Sequence, residues 1–184
     1  MKRFYFEPTS YCQLKCPLCP TPRFDEGRKG FMEFSEFDRL VNDAYKKRLV
    51  ASGDDFHLYG FGEPTLHPKL ADMIALSTSF GITSKINTNG LDCTAQIWER
   101  LREAGLTKAL FSLDGVTERD FKKYRIGGDF TRVRDNIAYA CANKGCTVIE
   151  IQMILFNYNL DAERIFLDYA RSVGADVAVL KKPR

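Results

Sequence analysis

Apolar residues along this chain switch between two spacings. Short runs at residues 3–7, 55–61, 82–87, 109–113, 147–155 and 176–180 are rich in β-branched and aromatic side chains, the composition of buried parallel strands. Between them apolar residues recur at helical intervals. Phe34, Phe37, Leu40, Val41 and Ala44 form one stripe, with Ser35 and Asp38 as an N-terminal capping signal. Pro68 stands at a first helical position ahead of Leu70, Met73 and Ile74, and Gly81 ends that run. Thr94 opens a helix with Ile97, Trp98 and Leu101 that Gly105 closes. Phe130, Val133, Ile137 and Cys141 share a face before Gly145, and Asp161 precedes Ile165, Phe166, Tyr169 and Val173 before Gly174.

Strand and helix alternating at about thirty residues is the pattern of βαβ units on a parallel sheet. The expected class is α/β, as an open doubly wound sheet or part of a (β/α) barrel. Periodicity alone leaves that choice open. The 184 residues predict one domain over 1–184 without a linker or low-complexity stretch. The end at Arg184, just past the sixth strand, suggests a truncated chain or an unusually minimal protein.

Composition narrows the function classes. With 45% hydrophobic and 28% charged residues the chain reads as an ordinary globular protein. The formal charge of +3 comes from 27 basic and 24 acidic residues mixed along the chain, so nucleic-acid binding is not indicated. No apolar run has membrane-spanning length and no signal sequence is legible, which makes a cytoplasmic address the expectation.

Three of the six cysteines, Cys12, Cys16 and Cys19, crowd into one C-x3-C-x2-C segment after the first strand. Such crowding reads as a metal site in a reducing compartment rather than a disulfide framework. The segment falls in the first βα loop, at the carboxyl ends of the strands where α/β proteins place their sites. Three thiolates on a compact loop can hold three irons of a cubane cluster and leave the fourth open. The alternative is structural zinc, which needs four closed ligands, and the chain has only two histidines, His57 and His67. Cys93, Cys141 and Cys146 and both histidines are expected to be structural, with Cys146 beginning a strand.

Three more motifs follow in order at strand ends: Gly62-Glu63-Pro64, Asn87-Thr88-Asn89-Gly90 and Ser112-Leu113-Asp114-Gly115. With the cysteines they resemble the radical S-adenosylmethionine (SAM) superfamily through nearly the whole chain. The resemblance implies a partial (β/α)6 TIM-like barrel of parallel strands and two cofactors, a [4Fe–4S] cluster on Cys12, Cys16 and Cys19 and SAM on its open iron. It assigns Gly62 and Glu63 to the SAM amino group, Ser112 and Arg125 to the SAM carboxylate, and Asn89 to the cofactor's neighbourhood. Glycine allows close backbone approach, a carboxylate suits an ammonium, and a guanidinium fork suits a carboxylate. Two positions depart from the family pattern: Leu18 replaces an aromatic residue and Phe61 replaces a further glycine.

The implied activity is reductive cleavage of SAM to a 5′-deoxyadenosyl radical that abstracts hydrogen from a peptide or small-molecule substrate. A flavodoxin- or ferredoxin-like donor would supply the electron. Phe31-Met32, the Gly-Phe-Gly-Glu-Pro segment and Gly127-Gly128-Asp129-Phe130 look like the branch that carries a C-terminal SPASM or twitch domain, whose cysteine-rich extension is not in this sequence. Asn157, Tyr158, Asn159, Lys181 and Lys182 are candidates for the substrate side; no general base can be named. The competing reading is a non-catalytic iron–sulfur module for electron transfer or scaffolding.

Overall fold

A computed structural model describes residues 1–183. Six parallel strands form one sheet: β1 (Arg3–Phe6), β2 (Asp55–Leu58), β3 (Thr83–Thr88), β4 (Lys108–Ser112), β5 (Val148–Ile154) and β6 (Val177–Lys181). Six α-helices connect or flank them: α1 (Phe34–Lys46), α2 (Leu70–Ser79), α3 (Ala95–Glu103), α4 (Glu118–Tyr124), α5 (Phe130–Ala142) and α6 (Glu163–Ser172).

Strand order settles the choice that periodicity left open. The strands lie in sequence order, β1 to β6, with β1 and β6 at the edges. A doubly wound sheet reverses its order at a switch point; continuous winding in one direction is the arrangement of a partial (β/α)6 TIM-like barrel.

The two faces of the sheet differ in chemistry. Phe6 packs edge-on against Phe37 of α1 at 5.0 Å, and the Phe111 ring lies tilted to Trp98 of α3 at 6.1 Å, so this face meets the helices. Phe56, Leu58, Ile86, Ala109, Ile149, Ile151 and Met153 extend it, all at most 1% exposed. The alternate positions face the concave side, because side chains alternate along a strand. There Lys85 pairs with Asp55 at 2.7 Å, Lys108 pairs with Glu150, and Asn87, Ser112 and Gln152 border a cavity. The hydrophobic core is therefore the layer between sheet and helices, and the bore is polar.

Local grammar held at most helix ends. Thr94 accepts from Ile97 N at 3.5 Å, and the four expected stops, Gly81, Gly105, Gly145 and Gly174, have φ of 69°, 94°, 55° and 80°. The Ser35/Asp38 cap is not made. The α1 N-cap is Glu33, whose carbonyl takes Glu36 N and Phe37 N at 3.1 Å, while Asp38 bonds Asn42. Pro68 lies in the turn before α2 and not at its first position. Cys146 is exposed in the turn before β5. The second strand stops at Leu58 because Glu7 captures Phe61 N and Gly62 N, at 2.5 and 3.0 Å, and turns the chain out of the ladder. Helix α4, capped by Thr117 accepting from Asp120 N, has no counterpart in the periodicity reading.

Candidate active site at the carboxyl ends of the strands

The cysteine loop is fixed from three directions. Leu14, 2% exposed, anchors it in the core; Lys15 N donates to Ile126 O at 2.9 Å; and Glu63 N donates to Tyr11 O at 2.7 Å. Within it, Cys19 N donates to Cys16 O at 3.0 Å and forms a tight turn. Thr21 adds a tie by donating to Phe61 O at 2.9 Å. Gly62 packs so closely on this segment that a Cβ there would lie 1.8 Å from Thr9 O. Only glycine allows that approach.

Cys12, Cys16 and Cys19 border one cavity of about 210 Å³ together with Gly62, Glu63, Asn89, Ser112 and Arg125. Every residue singled out for the cluster or for SAM lines this single space. Asn87, Thr88, Tyr124 and Gln152 line it too.

Most polar side chains there have definite partners. Glu63 is wholly buried: its Oε1 accepts from Thr65 N, Thr65 Oγ1 and Thr88 Oγ1 at 3.0, 2.7 and 2.7 Å, and its Oε2 accepts from Asn89 N at 2.7 Å. Burial raises its pKa, against the pull of the bonds from Asn89, Thr65 and Thr88. Asn89 Nδ2 sits 3.8 Å from Cys12 Sγ and 3.2 Å from Gln13 Oε1. Ser112 donates to Asn87 Oδ1 at 3.1 Å. Arg125, one residue past α4, pairs with Asp114 and lies 3.7 Å from Cys16 Sγ through Nη1. Its Nε and the Oε1 of Gln152 are buried without a partner among the described residues.

Burial acts on two of the three thiols. Burial pushes the Cys12 thiol up to about 11, and burial also raises Cys16 against the opposing influence of Arg125. An iron bound there would take each sulfur as the thiolate and displace its proton. Among the described residues no three His, Cys, Asp or Glu side chains close on a single ion, and the three sulfurs border an open cavity instead. Both histidines are engaged in the fold. His67 takes Lys69 N on Nδ1 at 3.1 Å and meets Met32 O with Nε2 at 2.9 Å, while His57 Nδ1 lies 2.8 Å from the Tyr59 hydroxyl.

The family model of the radical SAM superfamily matches residues 6–169. The chain belongs to the radical SAM superfamily. A tungsten-containing aldehyde ferredoxin oxidoreductase cofactor-modifying protein from Pyrococcus furiosus is 32% identical over 117 residues, 62% of this chain and 31% of that protein. A probable GTP 3′,8-cyclase from Methanococcus maripaludis is 24% identical over 98% of this chain and 59% of its own length. Among solved structures, Streptococcus suis SuiB bound to S-adenosylmethionine superposes with a TM-score of 0.79 at 18% identity, over 98% of this chain and 40% of SuiB. SuiB bound to its precursor peptide SuiA gives 0.78 at 16% identity, over 98% of this chain and 39% of that one. The chain thus spans between 31% and 59% of these relatives.

Radical SAM proteins use a [4Fe–4S] cluster and SAM, and the donor set fits both. Three thiols face one space, and a guanidinium Nε and an amide oxygen of residues in its walls have no partner among the described residues and are free to meet a bound group. Gln152 was missed in the sequence, although its alternation with Glu150 along β5 marks it as facing the bore. Asp114 was read only as part of a motif; its φ of 50° and its pairing with Arg125 are tertiary facts.

The substrate-side candidates divide. Asn157 is exposed and Tyr158 stacks on Phe156 at 5.3 Å. Asn159 is instead wholly buried and clamps its own turn, accepting from Phe156 N at 2.6 Å and donating to Ile154 O at 3.0 Å. Lys181 and Lys182 border a second cavity of about 370 Å³ with Leu18, Tyr124 and Ile154; Tyr124 borders both spaces. No helix among the described residues is long and apolar enough to cross a membrane.

Proposed function

We propose that this chain is the catalytic barrel of a radical SAM enzyme, with Cys12, Cys16 and Cys19 as cluster ligands and Gly62, Glu63, Asn89, Ser112 and Arg125 around SAM. The observation that carries the reading is that all of these residues, drawn from the carboxyl ends of β1 to β4 and from the turn after α4, border one cavity. Cluster and SAM together supply a one-electron cleavage that releases methionine and a 5′-deoxyadenosyl radical.

The chain's own residues hold, orient and shield. Cys12, Cys16 and Cys19 would bind three irons and leave the fourth facing the cavity. Arg125, with Nε uncommitted, and Ser112 would meet the SAM carboxylate. Glu63 joins the loops after β2 and β3, and its Oε2, with only one protein donor, is the oxygen left to meet an ammonium. Gln152 Oε1 would accept from a hydroxyl or amine brought into the bore. Leu14, Tyr124 and Phe61 supply the apolar part of the cavity wall.

The second cavity, bordered by Lys181 and Lys182, is the approach we assign to substrate, either a peptide or a small molecule. Both classes occur among the relatives: SuiB was solved with a precursor peptide, and the Methanococcus maripaludis relative is named for GTP. An electron donor of the flavodoxin or ferredoxin class completes the cycle.

The test is anaerobic reconstitution with iron and sulfide, reduction by dithionite, and chromatography after adding SAM. Formation of 5′-deoxyadenosine is the expected result. Folded protein with a full cluster that forms none would favour an electron-transfer module instead.

A further inference from the structure

Asp114 and Arg125 form a buried pair aimed at the cysteine loop. Asp114 is 0% exposed and sits at φ 50°, a backbone conformation uncommon outside glycine. One carboxylate oxygen accepts from Ile154 N at 2.7 Å, at the carboxyl end of β5, and the other accepts from Arg125 Nη2. The carboxylate is thus tied to the sheet and cannot follow the arginine. Arg125 has its Nη1 3.7 Å from Cys16 Sγ, and its guanidinium carbon lies 5.4 Å from the Tyr124 ring centroid.

A buried ion pair is poor evidence of net stability, because desolvation offsets its attraction. This one has a geometric result instead: it fixes a cation against one specific sulfur. Hydrogen bonds and charge at cysteine sulfurs are among the levers that set iron–sulfur potentials. When a four-iron cluster takes one electron from a low-potential donor, no bond is made or broken and no proton moves. The added negative charge spreads onto the sulfurs, where a fixed N–H cation stabilises it.

We propose that Asp114 is a positioning residue that holds the Arg125 guanidinium against Cys16, and that the cation so held eases reduction of the cluster before SAM is bound. This rests on the reading that Cys12, Cys16 and Cys19 carry a [4Fe–4S] cluster. It adds to Arg125's expected contact with the SAM carboxylate a role that operates in SAM-free protein.

The experiment is a redox titration of the full reconstituted chain, without SAM, followed by the EPR signal of the reduced cluster. R125Q should hold about tenfold less reduced cluster than wild type at the same ambient potential, about 59 mV for a one-electron couple. R125K, which keeps the charge, should recover most of that loss. In protein labelled with ¹⁵N-arginine, pulsed EPR should detect nitrogen coupled to the reduced cluster in wild type. That coupling should vanish in D114N, where asparagine tolerates the left-handed backbone but cannot accept from both donors.

An R125Q titration that overlays wild type, in folded protein that carries a full four-iron complement by iron and sulfide analysis, overturns this inference alone. A D114N spectrum that keeps the nitrogen coupling removes Asp114 from the assignment, and this readout does not require R125Q to fold. Wild-type protein that takes up no four-iron cluster overturns the inference together with the reading beneath it.

Discussion

Glu63 Oε2 accepts the backbone N–H of Asn89 at 2.7 Å, so the loops after β2 and β3 share one buried carboxylate. Its other oxygen serves Thr65 and Thr88, which makes this side chain the hub of the cavity floor. The hub gives the first prediction. E63Q presents an NH2 group where an acceptor is required, leaving at least one buried donor unpaired, at a cost of about 1–3 kcal/mol. Thermal unfolding of the cluster-free protein should show a midpoint several degrees lower; an unchanged midpoint would refute the hub role.

Gly62 tests packing of the same region without changing a polar side chain. The Cβ of G62A would meet backbone atoms of Thr9 and Ser10, the nearest at 1.8 Å, and these cannot rotate away. A loss of about 1–3 kcal/mol follows from overpacking. G30A serves as the control, because nothing lies within 4 Å of a Cβ there. Urea unfolding should separate the two variants clearly, and equal stability would contradict the close approach.

The cysteines should behave as a set. C12S, C16S and C19S each remove a soft ligand from the cavity wall while C146S changes an exposed turn residue. Iron and sulfide analysis after anaerobic reconstitution should show the first three unable to keep a full cluster and the fourth loaded like wild type. A full four-iron complement in C16S would exclude Cys16 as a ligand.

His57 links stability to pH. Burial, then the nearby Lys85 charge, lowers its pKa below the ordinary value of about 6.5. The unfolded chain therefore binds a proton that the folded chain resists, and unfolding becomes easier as that proton is taken up. Its stabilising contribution is complete above about pH 6.5 and is lost as pH falls through that value toward the folded pKa. Unfolding free energies measured by urea from pH 8 down to pH 5 should decline for wild type and decline less for H57Q; parallel curves would remove His57 from the linkage.

Much of this was legible in the chain. The alternation of strand and helix, the glycines that stop helices and the C-x3-C-x2-C spacing are local properties, set by backbone sterics and by side chains a few residues apart. The loops bearing Cys12, Gly62 and Asn89 could therefore be placed after the right strands, and Ser112 at the end of its strand. Strand limits slipped where a distant group intervened, as at residues 59–61, where Glu7 takes two backbone donors from the ladder. The seven-residue α4 was invisible because about two turns with a single buried phenylalanine, Phe121, carry too little periodicity.

By itself, then, the sequence determined the element order, the chemistry of the cysteine loop and the family resemblance. Tertiary structure alone decided that the sheet winds one way into a partial barrel, that the bore is polar, and that Asp114 and Arg125 meet beside Cys16. Those outcomes depend on the register of β4 against β5 and on contacts spanning up to 109 residues. Short-range spacing cannot encode such contacts, because they exist only once burial of the apolar face has fixed how the strands lie together.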